Sequence, residues 1–212
     1  MGRKSDAKPR LLGAALHLCW SSSYSAATID DFCTLADVRK GSFYHFFRSK
    51  SDLVNAALDH WLSELRPGLD HLFSASQPGL ARLENYIQWI VTSQLTKYEK
   101  EGRILGCPLF TLGSEVSTLD SLVCDKVQEI LKIFHRYLES AIRDSVAQGT
   151  MQVAQPALAA RDLFSLVEGT LAQARITNDP AMVRELPATF SRWVANFQAQ
   201  SPTANSTAMV LN

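Results

Sequence analysis

Residues 28–53, TIDDFCTLADVRKGSFYHFFRSKSDL, constrain this chain more than any other stretch. Thr28 is a natural N-cap, and Ile29, Phe32 and Cys33 follow at the i, i+3, i+4 spacing of a helix with one apolar face. Ala36-Asp37-Val38 reads as a turn, where the short polar side chain of Asp37 tolerates a left-handed backbone. A second short helix is predicted over Arg39–Phe47, opening on two cations and placing Phe43 and Phe47 four residues apart, toward a small core. Ser49 caps a further helix with Lys50 in its first turn. Two helices joined by so short a turn form a helix-turn-helix, the unit whose second helix enters the DNA major groove.

The string Val38-Arg39-Lys40-Gly41-Ser42-Phe43-Tyr44-His45-Phe46-Phe47-Arg48-Ser49-Lys50-Ser51-Asp52-Leu53 resembles the DNA-binding segment of TetR-family transcriptional regulators, and Arg10, Leu12, Ala15 and Leu18 fit that family's first helix. Three positions depart from the family pattern. Asp37 stands where a turn glycine is usual, Arg39 replaces the Ser or Thr cap of the recognition helix, and Ser23 replaces a glycine before Tyr24. The resemblance implies an all-α fold, with a three-helix head at the N-terminus and a helical body for effector binding and dimerisation. The expected division is a head over residues 1–53, a body over 54–200 and a disordered tail over 201–212. Thr28, Arg39, Lys40, Gly41, Ser42, Tyr44, His45 and Lys50 are the candidate DNA-contacting residues. Gly41 lowers helix propensity by about 1 kcal/mol relative to Ala, which close approach of the backbone to DNA would explain.

Charge agrees with that reading. The formal net charge is zero, yet residues 1–53 hold eight Lys and Arg against five Asp and Glu, while the remainder holds 13 against 16. A positive end on a negative body suits a protein that offers one face to phosphate. The N-terminus is a polar, basic arm over residues 1–7 without the apolar core of a secretory signal, and no apolar run reaches the ~20 residues of a membrane span. Cys19, Cys33, Cys107 and Cys124 include no C-x-x-C pair, so neither a zinc site nor a disulfide framework is expected; free thiols in a reducing cytoplasm are. No cofactor is expected. An enzyme is disfavoured, since the chain has no paired acid/base cluster, Gly-rich phosphate loop or nucleophile motif.

Beyond the head, apolar periodicity predicts helices over about 8–22, 50–73, 80–100, 120–148, 157–175 and 181–199, with a kink or break at Pro67-Gly68 and a kink at Pro187. The helices near 157–175 and 181–199 are apolar on more than one face, which points to a four-helix homodimer interface. TetR-like bodies commonly hold a small-molecule cavity whose occupant changes the spacing of the two heads. Tyr86, Trp89, Ile90, Phe110, Phe134 and Tyr137 are the candidate lining. Cys107 is a candidate sensor: Pro108 suits the first turn of a helix, which puts the thiol at a helix N-terminus, where the dipole favours thiolate. Gly106-Cys107-Pro108-Leu109 followed by Ser114-Glu115-Val116 is also similar to a Gly-Cys-Leu…Ala-Glu-Val segment in the NemR-like branch of the family, a branch associated with electrophiles and oxidants; Pro108 stands where that branch has leucine. The function these features imply is a DNA-binding repressor released by a small molecule or by modification of Cys107. The alternative is a regulator whose body only dimerises.

Overall fold

Local capping sets the first elements of the computed structural model, which describes residues 6–198. The Thr28 side chain accepts from the Asp31 backbone N–H, and Asp31 accepts in return from the Thr28 N–H. This reciprocal capping box starts α2 (Ile29–Leu35) behind α1 (Ala7–Ser21). Asp37 lies at φ +50, in the left-handed conformation expected of it, and turns the chain into α3 (Lys40–Phe46). Arg39 occupies the N-cap of α3 with no side-chain cap bond. Ser49 caps α4 (Lys50–Leu72) by accepting from the Asp52 N–H. Phe43 and Phe47 are buried, as their spacing requires. Of the arm expected over residues 1–7, Ala7 is already helical. Residues 1–5 and the expected tail at 201–212 lie outside the described residues.

The body follows as α5 (Gly79–Glu101), α6 (Pro108–Val116), α7 (Ser121–Ala147), α8 (Pro156–Thr177), α9 (Pro180–Arg184) and α10 (Leu186–Ala195); no strand occurs among the described residues. Helix α7 is the central element and packs against α4, α5, α6 and α8, while α1 packs against α4 and α6. One continuous apolar core therefore runs from Leu11 to Val194, and α4 carries the chain from head to body without interruption. The buried Arg82 ties α5 to α7 through Asp144 and donates to the Phe73 carbonyl at 3.3 Å.

Two expectations are corrected. Pro67 does not break α4. Pro67, Gly68 and Ser63 all face solvent, so the carbonyl that loses its partner to proline is exposed to water, and the buried residues on either side, Leu62 and Leu69, hold the helix together. The single helix expected over 181–199 is instead two, split at Glu185. Pro187 cannot donate to the preceding turn and sits in the first turn of α10, where no donor is needed. On that segment Val183, Leu186, Phe190 and Val194 are buried within the chain, whereas Met182, Trp193 and Phe197 are half-buried. The apolar surface left open nearby is on α8, at Leu158 (40% exposed) and Ile176 (83% exposed).

Gly79 is the most tightly packed glycine of the body. A Cβ there would collide with the Ala141 carbonyl and with the backbone N and Oγ of Ser145, both 2.5 Å away. Because the obstacle is the α7 backbone, Gly79→Ala is expected to destabilise by about 1–3 kcal/mol, read as a lower urea midpoint at unchanged slope.

Candidate functional site

The exposed face of α3 carries Arg39, Lys40, Tyr44 and His45 outward, with Ser42 half-buried beside them. Tyr44 is 55% exposed, with its ring an edge partner of Phe43 at 5.1 Å and its hydroxyl free to reach outward. Lys40 pairs with Asp30 at 2.8 Å, an exposed pair of the kind that contributes about 0–1 kcal/mol and is easily exchanged for phosphate. Arg39 has no side-chain hydrogen bond or ion pair among the described residues. A Cβ on Gly41 would meet nothing within 4 Å, so packing does not require glycine there. Two of the candidate contacts are already committed inside the protein. The Thr28 hydroxyl belongs to the capping box. Lys50 turns inward, donating to the Tyr24 and Ala27 carbonyls at 2.9 and 3.1 Å with its ammonium 4.2 Å from the Tyr24 ring centre. Its task is to hold the loop between α1 and α2.

That loop is also stapled to the body. Glu115 of α6 accepts from the Ser23 hydroxyl at 2.5 Å and from the Tyr24 and Ser25 backbone N–H groups, each at 2.7 Å. Burial alone would raise the Glu115 carboxyl, but these bonds outweigh it and hold it down at about 2. Asp120, the N-cap of α7, accepts from the Tyr24 and Ser51 hydroxyls. The glutamate and aspartate thus receive the head from two different body helices.

Inside the body lies a cavity of about 170 Å³. It takes Tyr86, Trp89, Ile90, Phe134 and Cys107 from the expected set. The other two lie outside it: Phe110 lines a separate hollow beside Cys124, and Tyr137 packs on Phe73 and donates to Asp70. The walls also include Trp20 of α1, Trp61 of α4, Gln94 and Lys97 of α5, and Phe164 and Glu168 of α8, none of which was anticipated. Phe164, Glu168, Leu171 and Arg175 fall at i, i+4, i+7, i+11, so their common face was readable from spacing.

Glu168 is the outstanding group. It is 2% exposed, one carboxylate oxygen, Oε2, has no hydrogen-bond partner, and burial pushes the carboxyl up to about 7 against a lowering contribution from the Cys107 thiol. Cys107 does occupy the N-cap of α6, as expected, but the expected lowering of its pKa is reversed. Burial and the nearby Glu168 charge push the thiol well up, and the Phe110 and Leu109 backbone N–H groups at the helix end lower it too little to compensate. Arg175 gives the thiol no help, being engaged elsewhere.

A polar node joins this cavity to the head. Gly106, at φ +68 in a conformation that disfavours other residues, has its peptide clasped on both sides by Gln94: N–H to Oε1 at 3.1 Å, and carbonyl from Nε2 at 3.0 Å. The Trp20 indole N–H reaches the Leu105 and Gly106 carbonyls at 3.0 and 3.1 Å. Arg175 Nη1 lies 2.9 Å from the Trp20 carbonyl at the end of α1, 2.6 Å from the Leu105 carbonyl and 2.9 Å from Thr111 Oγ1. One guanidinium thus bridges α8, α6, the loop before α6 and the first head helix.

Among the described residues no cluster of three or more His, Cys, Asp or Glu is placed to hold a metal, and no helix is long and apolar enough to cross a membrane. Residues 11–57 match the N-terminal model described as bacterial regulatory proteins, tetR family, and residues 79–190 match the tetracyclin repressor-like C-terminal domain. The transcriptional regulator AcuR of Cereibacter sphaeroides is 26% identical over 192 residues, 89% of this chain and 85% of AcuR. The repressor NemR of Escherichia coli K12 is 25% identical over 174 residues, 81% of this chain and 85% of NemR. A TetR regulatory protein from Rhodobacter sphaeroides superposes with a TM-score of 0.77 at 26% identity, covering 89% of this chain and 99% of that one. The reduced form of E. coli NemR gives 0.77 at 24%, covering 93% and 100%. The second helix of the helix-turn-helix, α3, keeps its polar face exposed, and both halves of the chain match the models of one family: the chain belongs to the tetR family of bacterial regulatory proteins and is a DNA-binding transcriptional regulator.

Proposed function

We propose that this regulator is a cytoplasmic repressor, released from its operator when a small organic molecule occupies the cavity between α4, α5, α7 and α8. TetR-family regulators bind operator DNA as dimers. The exposed Leu158 and Ile176 support a homodimer interface that includes α8, near 157–175, with the segment near 181–199 beside it. In this reading residues 1–53 act as the reading head and 54–200 as the sensing body, with α4 shared between them. Arg39, Lys40, Gly41, Ser42, Tyr44 and His45 are the residues proposed to meet DNA.

The observation that carries the coupling is the Arg175 node. Arg175 lies two turns along α8 from Glu168, and it holds the last turn of α1 by the Trp20 carbonyl. A ligand that shifts α8 or the Trp20 ring alters the seat of α1, and with it the separation of two heads that must meet half-sites about one DNA turn apart. A bias of about 1–3 kcal/mol between the two spacings is sufficient.

A screen of small organic molecules against the protein–operator complex tests this, with fluorescence anisotropy reporting release. A releasing compound is expected to quench tryptophan emission, since Trp20, Trp61 and Trp89 line the cavity and only Trp193 stands outside it. Arg175→Met is expected to bind that compound with little change and to release DNA at least tenfold less readily. Release without quenching, or unimpaired release by Arg175→Met, would contradict the coupling.

A second reading has Cys107 modified by an electrophile or oxidant. Its place on the cavity wall favours this, and the relative NemR was solved in a form described as reduced. The raised thiol opposes it, because the thiolate is the reactive species. Cys107→Ser separates the two readings: a non-covalent effector still releases the variant, whereas a covalent one does not.

A further inference from the structure

Six aromatic side chains, from Trp20, Trp61, Tyr86, Trp89, Phe134 and Phe164, line the cavity, and a single carboxylate, Glu168, lies among them. The carboxylate is almost wholly buried, and its Oε2 has no partner. A buried polar group left in this state is costly, and a protein that retains one gains most when something else completes it. The titratable or charged neighbours on the cavity wall are Tyr86 and Lys97 of α5 and Cys107 of α6; the lining residues from α1, α4 and α7 are uncharged. Lys97 does not supply the missing counter-charge, since its ammonium lies over the Trp20 ring, 4.9 Å from the centre. Burial and the Cys107 thiol are the influences on Glu168, and no cation is among them.

Resting on the reading that this cavity is the effector site, we infer that its ligand is a small organic cation: an amine or ammonium bearing one apolar or aromatic group, its charge against Glu168 and its body between the rings. Ring faces attract cations, as Lys97 over Trp20 already does at the cavity edge. A carboxylate ligand would meet repulsion from Glu168. A neutral donor would complete Oε2 but leave the charge unopposed. The volume of about 170 Å³ fixes the scale at about one ring, since an apolar cavity of about 150 Å³ admits benzene.

Calorimetric titration of the full-length protein at pH 8 with benzylamine, benzyl alcohol and benzoate tests the class. These probes share a ring and differ in charge and donor. Benzylamine is expected to bind at least tenfold more tightly than benzyl alcohol, and benzoate more weakly than either. Glu168→Gln is expected to lose this preference. The variant should remain folded and melt higher than the wild type at pH 8, because it no longer buries a charge. In the wild type, benzylamine affinity is expected to fall roughly tenfold between pH 8 and pH 6 as the carboxyl, pushed up to about 7, takes up a proton. Equal or tighter binding of benzyl alcohol or benzoate, or an undiminished preference in Glu168→Gln, overturns the inference. If benzyl alcohol both binds as well and releases DNA, the cation class fails while the cavity stands as the effector site. If none of the three binds, the cation class fails, and the cavity reading is judged by the compound screen and the Arg175 variant.

Discussion

Glu115→Ala is expected to lower stability by about 2 kcal/mol at pH 7 and to loosen the DNA-binding head from the body. The carboxylate receives three donors from the loop between α1 and α2, Ser23 Oγ, Tyr24 N and Ser25 N, and the substitution strands all three. Its pH dependence follows from the depressed pKa. In the unfolded chain the group titrates near its ordinary 4.5, and in the folded protein at about 2. The contribution is therefore complete above the unfolded value and disappears as pH falls through the folded one. At about 1.4 kcal/mol per pKa unit the ceiling is about 3 kcal/mol, reduced here because the group is partly exposed to solvent. Urea midpoints of wild type and Glu115→Ala should differ clearly at pH 7 and converge toward pH 2. Amide exchange at Tyr24 and Ser25 should speed up in the variant at neutral pH. Equal midpoints at pH 7, or a difference that does not change with pH, would show that the staple carries no such energy.

The second large effect is on DNA. Tyr44→Ala is expected to weaken operator binding by about 30-fold or more, because a contact worth about 1–2 kcal/mol is lost on each of two heads. Its folding should be almost unaffected, as the side chain is 55% exposed. Arg39→Ala should reduce the slope of log affinity against log salt by about one per head, the signature of a lost phosphate contact. Gly41→Ala separates fold from function: with open space around the missing Cβ it should stabilise α3 by about 0.5–1 kcal/mol, yet weaken DNA binding if the backbone lies close to the duplex. Lys50→Ala should behave differently from all three and lower stability as well as binding, since its ammonium holds the Tyr24 and Ala27 carbonyls. A Tyr44→Ala protein that binds as tightly as wild type would remove α3 from the interface.

These contrasts show which parts of the molecule were legible in the sequence. The helix-turn-helix was readable because its determinants are local: a cap at Thr28, a left-handed residue at Asp37, a cap at Ser49 and two phenylalanines four apart. The internal partners of Lys50 were not legible, because the carbonyls it donates to lie more than 20 residues away. At Pro67 the expected break does not occur: the carbonyl that loses its partner is exposed to water, and the buried Leu62 and Leu69 hold the helix on either side. At Cys107 the helix end lowers the thiol as expected, but burial raises it more and arises only from the packed body. Four of the six aliphatic and aromatic candidates, Tyr86, Trp89, Ile90 and Phe134, line one cavity because α5 and α7 present regular faces. Glu168 was missed because a lone carboxylate in an apolar stripe reads as a solvent-facing residue until its helix is packed.

Operator binding by the intact protein tests the central claim most directly. A duplex selected by the protein from a random library, carrying a fluorophore, would be titrated with protein at several salt concentrations. The expected result is saturation at an even number of protomers per duplex, a two-fold symmetric site with half-sites about one turn apart, and an affinity that falls steeply as salt rises. Failure to select any duplex, binding by single protomers, or an affinity indifferent to salt would contradict it.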